Sequence, residues 1–351
     1  MSNLENSKKN KYTPSGDGGI KAGIVGGAGY TGGELVRLLI NHPQVEIAFI
    51  NSSSNAGKFV YEVHKDLLGE TELKFSSELI LSEGNVDVIF LCAGHGEAKK
   101  FVEANEIPSS IKLIDIGNDF RLAKDANIKE RNFVYGLVEL NKIQIQSAQN
   151  IANPGCFATA IQLGLLPLAK AGLLKDVYTT AITGSTGAGQ SLSATSHFSW
   201  RANNISAYKT LTHQHLGEIH QSLHQLQNSF PNSPSGVGGV HFVPWRGDFT
   251  RGIYVSSIID TDLSLDELKT LYKNFYADAA FTHYSDSMID LKQVVNTNKC
   301  LINIEKQGNK MVVHSVIDNL LKGASGQALQ NMNLLFGLDE TTGLKLKAIR
   351  F

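Results

Sequence analysis

Cys156 has the setting of a nucleophile. It follows Asn153-Pro154-Gly155 and heads a nearly all-apolar run, Phe157–Leu174, so the thiol falls at a helix N-terminus with Pro and Gly shaping the approach. A free thiol with pKa ~8.5 is only a few per cent thiolate at neutral pH; a helix N-terminus or a protonated histidine nearby lowers that by ~1–3 units. The position predicts an activated thiol. Cys92 at a strand end and Cys300 in an alternating strand fit small buried hydrophobes instead.

A thiol nucleophile needs a group that accepts its proton and later returns one, and imidazole does both near neutral pH. Thr212-His213-Gln214-His215-Leu216-Gly217-Glu218 precedes a helix whose apolar face is Leu216, Ile219, Leu223 and Leu226, so either His213 or His215 suits the role. Metal is the weaker reading. His220 and His224 are four apart but lack the Glu of H-E-x-x-H, and no Cys/His quartet has zinc spacing. Those two histidines read as solvated helix residues, and no metal is expected. Arg121, in the Asp115–Arg121 stretch after a strand, is suited to a phosphate or carboxylate on the ligand side of an open sheet.

Gly26-Gly27-Ala28-Gly29-Tyr30-Thr31-Gly32 lies between a strand and a helix, where glycines permit a tight turn and a pyrophosphate can approach free N–H groups. Gly26, Gly29, Tyr30, Thr31 and Gly32 are therefore candidate cofactor contacts. The second strand ends in Asn51-Ser52-Ser53-Ser54, where a site preferring NAD carries a carboxylate on the ribose. Three hydroxyls with Lys58 nearby would accept a 2′-phosphate, which favours NADP(H). A second small-residue loop, Thr183–Gly189 with Gly187 inside it, either approaches the cofactor or merely connects elements.

These groups need a scaffold. The runs Lys21–Val25, Glu46–Asn51, Asp87–Cys92 and Lys112–Ile116 have the length and low polarity of parallel strands covered on both faces, and Thr31–Asn41 supplies the helix of a β-α-β unit. Phe157–Leu174 reads as a buried helix kinked at Pro167. Val177–Thr183, Val240–Pro244, Gly252–Asp260 and Cys300–Glu305 alternate, which predicts a mixed or antiparallel sheet. The fold class is α/β: a Rossmann-type parallel-sheet domain plus an α+β catalytic domain. Asn319–Phe336 is helical and could pack on either.

With 351 residues and about 150 per domain as a soft prior, two cores are expected. Apolar residues are 42% and charged residues 19%, and 32 Lys+Arg against 33 Asp+Glu give a net charge of −1. Disorder, a nucleic-acid-binding field and an anionic-membrane field are all disfavoured. Partners should be small molecules or other copies of the chain. Three scattered cysteines argue for a reducing compartment, no run approaches the ~18 apolar residues of a bilayer span, and cytoplasm is the expected location. Residues 1–19 read as a disordered leader or a cloning remnant.

The motifs together resemble the N-acetyl-γ-glutamyl-phosphate reductase family, relatives of aspartate-semialdehyde dehydrogenase, over essentially all of Lys21–Phe351. GGAGYTGGELVRLL at Gly26, DIGNDFRL at Asp115, YGLVELN at Tyr135 and NPGCFAT at Asn153 carry it, with HQHLGEI at His213, HFVPWRGDFTRGIY at His241 and DNLLKGASGQALQNMNLLFGL at Asp318. The resemblance implies NADPH-dependent reduction of an acyl phosphate in arginine biosynthesis, through a thioester on Cys156 with phosphate held by Arg121. It implies His215 as acid/base, His213, Glu218 and Tyr208 as substrate contacts, Asn319 near the nicotinamide and Arg251 on the substrate carboxylate. It also implies a division into 20–155 with 320–351 (cofactor) and 156–319 (catalysis and dimerisation), and a homodimer or homotetramer. Where many relatives carry arginines, this chain has Ser54 or Asn55, Gln190 and Gln214, which points to a divergent branch accepting an acyl group other than acetyl, such as succinyl. Aspartate-semialdehyde dehydrogenase is the alternative activity.

Overall fold

Two seven-stranded sheets account for the molecule, a computed structural model that describes residues 19–232 and 239–350. Apart from Gly19, the expected leader lies outside the described residues.

The first sheet contains β1 (Ile20–Val25), β2 (Val45–Asn51), β3 (Val88–Leu91), β4 (Lys112–Asp115), β5 (Asn127–Ile128), β6 (Arg131–Tyr135) and β7 (Asn150–Ala152). Its order is β2-β1-β3-β4-β7-β6-β5, parallel except for the β5–β6 edge. All four apolar runs are strands; β1, β3 and β4 are fully or mostly buried, whereas in β2 only Val45, Phe49 and Ile50 are. The order reverses between β1 and β3, and at such a switch point the loops leaving the strand ends open a crevice. Helices α1 (Tyr30–Leu39), α2 (Val60–Val63), α3 (Glu97–Ala104) and α4 (Val138–Gln146) connect these strands. α1 buries Leu35, Val36, Leu38 and Leu39 against the sheet, as its 3.6-residue spacing requires.

The second half begins with α5 (Cys156–Lys170) and carries β8 (Asp176–Thr183), α6 (Phe198–Arg201), β9 (Ser206–Ala207), α7 (His215–Leu226), β10 (Gly239–Arg246), β11 (Ile253–Asp260), α8 (Leu265–Phe275), β12 (Thr282–Tyr284), β13 (Cys300–Gln307) and β14 (Lys310–Ile317). Their sheet, β12-β13-β14-β11-β8-β10-β9, is mixed: β8–β10 and β12–β13 are parallel and the other pairs antiparallel. α5 lies in the core with Val177, Val255, Met311 and Val313. It runs unbroken through Pro167. Proline has no N–H for the Leu163 carbonyl one turn back, and the Tyr276 hydroxyl donates to that oxygen, while Tyr272 donates to Gly164 O at 2.6 Å. The opposite face of the sheet leaves Tyr178 and Ile258 exposed.

The C-terminal segment, which periodicity left open, packs on the first domain. A π-helical turn (Leu321–Ser325) leads into α9 (Gly326–Leu335), and Leu321, Ala328, Leu329 and Met332 share a core with Ile24, Leu35 and Val88. Lys322 is fully buried there, its charge met by Glu139 at 2.8 Å and Gln330 Oε1 at 3.0 Å.

Candidate active site

A cavity of about 680 Å³ opens between the two sheets, lined by the glycine turn, the end of β3, the heads of α5 and α7, and the π-turn. Of the residues singled out in the sequence, Gly29, Tyr30, Thr31, Arg121, Cys156, Gly187, Tyr208, His213, His215 and Asn319 line it.

On the cofactor side, Gly29 caps α1 without a side-chain bond, and the first intrahelical donor is Gly33 N to Gly29 O at 2.9 Å. The N–H groups of Tyr30, Thr31 and Gly32 precede it and are free for an anion. Gly26 has φ +77°, and a Cβ there would stand 3.0 Å from the Cys92 backbone; one on Gly32 would stand 2.6 Å from Gly27 Cα. Both glycines let backbone segments meet and lie behind the cavity wall, whereas nothing comes within 4 Å of a Cβ on Gly94. The cradle fits a dinucleotide pyrophosphate. Ser52, Ser53 and Ser54 stand off the cavity, where Asn55 Nδ2 donates to Ser52 Oγ and Ser54 Oγ (3.2 Å each) and Lys58 donates to Asn55 (3.2 Å). Asn319 spends its amide on the scaffold: Oδ1 accepts from Gly252 N (2.6 Å) and Nδ2 donates to Thr186 Oγ1 (3.0 Å).

Cys156 is the first residue of α5, with Gly155 as N-cap. The activated thiol expected from that position is not what burial produces. Desolvation pushes the thiol up to about 11, outweighing the Arg121 charge and the helix amides that pull it down. His215 lies beside it: a Cβ on Gly155 would stand 2.4 Å from His215 Nε2 and 2.7 Å from Arg121 Nη1. Burial and Arg121 hold His215 well below its ordinary value. Burial and His215 likewise lower His213, to about 3. Both rings are neutral near pH 7. His213 Nδ1 accepts from His215 N at 3.2 Å, so its Nε2 carries the proton. Its ring packs edge-on to Phe157, Tyr208 and Phe242.

Arg121 is almost fully buried, with Nε donating to Asn153 O (2.8 Å), Nη2 to Ile116 O (3.1 Å) and Nη1 to Glu218 Oε1 (3.2 Å). Glu218 departs from its expected role as a substrate contact. Its Oε2 accepts from Tyr135 OH (2.7 Å) and Gly155 N (3.0 Å), so the carboxylate is used up holding Arg121 and the turn before Cys156, off the cavity. Arg251 departs likewise: it bonds Glu34 Oε1 (2.5 Å) and both Asp318 oxygens (3.1 Å each), because the fully buried Asp318 carboxylate needs a cation there. His220 is buried, not solvated, accepting from Val240 N (3.2 Å) and facing Pro231 O (3.1 Å). His224 is half-buried against Phe230 O.

Sequence reading missed Tyr135 and Gln162, which complete the Glu218 network (Gln162 Nε2 to Tyr135 OH, 2.8 Å). The signal was present: Gln162 is a lone amide in an apolar helix, and buried polar groups need partners. It also missed Lys209 and Arg246, both on the cavity wall.

A Rossmann-type domain, a second domain built on a mixed sheet, and a cysteine heading a helix at their junction define a nicotinamide-dependent oxidoreductase of the aldehyde/acyl type. The chain belongs to the semialdehyde dehydrogenase family: the models for its NAD binding domain and its dimerisation domain match residues 21–148 and 156–319. N-acetyl-γ-glutamyl-phosphate reductases of Phocaeicola vulgatus and Bacteroides thetaiotaomicron are 56% identical, over 95% of this chain and 100% of theirs; that of Parabacteroides distasonis is 55% identical over the same shares. Among solved structures, aspartate semialdehyde dehydrogenase II of Vibrio cholerae (16% identity, 91% of this chain, 98% of that one) superposes with TM-score 0.66. Aspartate semialdehyde dehydrogenase of Candida albicans with NADP (17% identity, 90% and 98%) superposes with 0.64. At that identity the structures share the fold alone, and the reductase reading stands over the aspartate-semialdehyde alternative. No helix among the described residues is long and apolar enough to cross a membrane.

Proposed function

We propose that this chain reduces an N-acyl-γ-glutamyl phosphate to the N-acylglutamate semialdehyde and phosphate with NADPH, a step of arginine biosynthesis, through a thioester on Cys156. The observation that carries the reading is the convergence of Cys156, neutral His215 and buried Arg121 on Gly155. Cys156 Sγ attacks the acyl carbon while its proton passes to the free ring nitrogen of His215. Arg121, fixed by Asn153 O, Ile116 O and Glu218, stabilises the departing phosphate, which leaves with that proton. When bound, the dinucleotide supplies the hydride that reduces the thioester. Having passed the cysteine proton to the phosphate, His215 takes one from solvent and gives it to the developing alkoxide; as the aldehyde carbonyl forms, that hydroxyl proton returns to the sulfur and Cys156 leaves as the thiol. His213 and Tyr208 bind the substrate from the opposite wall.

The serine cluster beside Lys58 and the lack of a carboxylate at Ser52–Ser54 support NADPH over NADH. Exposed Tyr178 and Ile258 on the open sheet face support assembly with a second copy. The test is the reverse reaction. N-acylglutamate semialdehyde, NADP and phosphate should generate reduced nicotinamide, with at least 10³-fold loss in Cys156→Ala. A rate independent of phosphate overturns acyl-phosphate chemistry, and full activity in Cys156→Ala overturns the nucleophile.

A further inference from the structure

Among the described residues the cavity wall carries three permanent cations, Arg121, Lys209 and Arg246, and no carboxylate. Both histidines are neutral. Arg121 sits beside Cys156, partly matched by Glu218, where the phosphate departs. The other two flank Tyr208. Arg246 stacks on the Tyr208 ring with Cζ 4.7 Å from its centroid, and its buried Nε has no hydrogen-bond partner among the described residues. Its backbone oxygen is pinned by Arg201 Nη1 at 3.1 Å, which fixes the end of β10 and adds a second guanidinium behind the wall. Lys209 occupies the left-handed region, φ +47°, unusual for a side-chain-bearing residue, and its Nζ meets only the neutral Gln214 Oε1 at 2.8 Å. Gln190 and Gln214 give this cavity neutral amides. Its positive charge lies instead on the Tyr208 wall.

The proposed reaction brings one phosphate and one α-carboxylate. With an acetyl cap, one of the two wall cations would be covered by substrate with no counter-charge, which is unfavourable. Resting on the reductase reading, we propose that the N-acyl group carries its own carboxylate, a dicarboxylic acyl of the succinyl type, and that Arg246 is the specificity-determining residue that takes it. A guanidinium offers a carboxylate a bidentate pair, and the unpartnered Nε lies on the edge of the fork that such a pair uses.

Reverse-direction kinetics with N-succinyl- and N-acetylglutamate semialdehyde test this. The wild type should favour the succinyl compound at least tenfold in kcat/KM. Arg246→Gln should lose about a hundredfold on it while changing the acetyl rate less than threefold, with Arg246→Lys between the two. Retained acetyl turnover in the same variant reports that it is folded. Equal or better wild-type use of the acetyl compound overturns the inference and leaves the reductase reading intact. Equal losses on both substrates in Arg246→Gln also overturn it, placing Arg246 on the shared α-carboxylate. No turnover of either compound by the wild type overturns the reductase reading itself.

Discussion

The thiol of Cys156 is governed by two opposed effects of the same position. The helix N-terminus and Arg121 favour thiolate, and removal from water favours thiol; removal from water wins, pushing the group up to about 11. The protein thus holds a protonated thiol beside a neutral imidazole, and in the proposed reaction the charge separates only when substrate is in place. Alkylation by iodoacetamide of the free enzyme should accordingly rise about tenfold per pH unit from 7 to 10 without a plateau. Cys92, raised to about 12, should react later. A plateau below pH 8.5 would show that the thiolate is already formed at rest. The same shift bears on stability. A thiol with a raised folded value contributes stability in full below about pH 9, and loses it as pH climbs towards 11. His213, depressed to about 3, contributes above about pH 6.5 and loses it as pH falls towards 3. Unfolding midpoints measured at pH 5, 7 and 10 should therefore peak at the middle value, and a midpoint rising from pH 7 to 5 would contradict the burial of His213.

At the level of elements, the site is made by close approach. The π-turn of Leu321–Ser325 presses Gly323 against the head of α5, where a Cβ would lie 2.8 Å from Cys156 Cβ and 3.2 Å from its Cα. Because the contact is backbone against the root of the nucleophile, the strain cannot be relieved by rotating a distant side chain. Gly323→Ala should lower kcat about 10²-fold by shifting Cys156 off line, at a stability cost of about 1–3 kcal/mol from overpacking. Wild-type kcat in that variant would mean the turn does not set the sulfur's position. Sequence reveals elements of this kind unevenly. The strands β1 to β4, the glycine turn and the cysteine at a helix head were legible because each is signalled by neighbours within a dozen residues. β14 was not foreseen, although its partners β11 and β13 were. The duties of Glu218 and Arg251 were hidden because their partners are remote: Tyr135 is 83 residues from Glu218 and Glu34 is 217 from Arg251. A carboxylate next to two candidate catalytic histidines reads as a substrate ligand until the fold brings Arg121, Tyr135 and Gly155 to it.

Across the whole molecule, the two domains are coupled by charge at the rim of the cavity. Arg251, on the loop entering β11, joins Glu34 of α1 to Asp318 at the end of β14. Asp318 also accepts from the backbone N–H groups of Asn296, Leu320 and Leu321, and its neighbour Asn319 holds the second glycine loop through Thr186. One guanidinium therefore sets how the helix carrying the cofactor cradle meets the strand end that faces it. Arg251→Met leaves buried Asp318 without its cation and Glu34 with Arg37 alone, at 2.7 Å. It should destabilise the fold by about 3 kcal/mol and raise the KM for the nicotinamide cofactor more than that for the semialdehyde. Calorimetry together with two-substrate kinetics measures both effects. The opposite pattern, an unchanged unfolding midpoint with a raised KM for the semialdehyde alone, would return Arg251 to the substrate carboxylate, and the interdomain bridge would lose its role in cofactor binding.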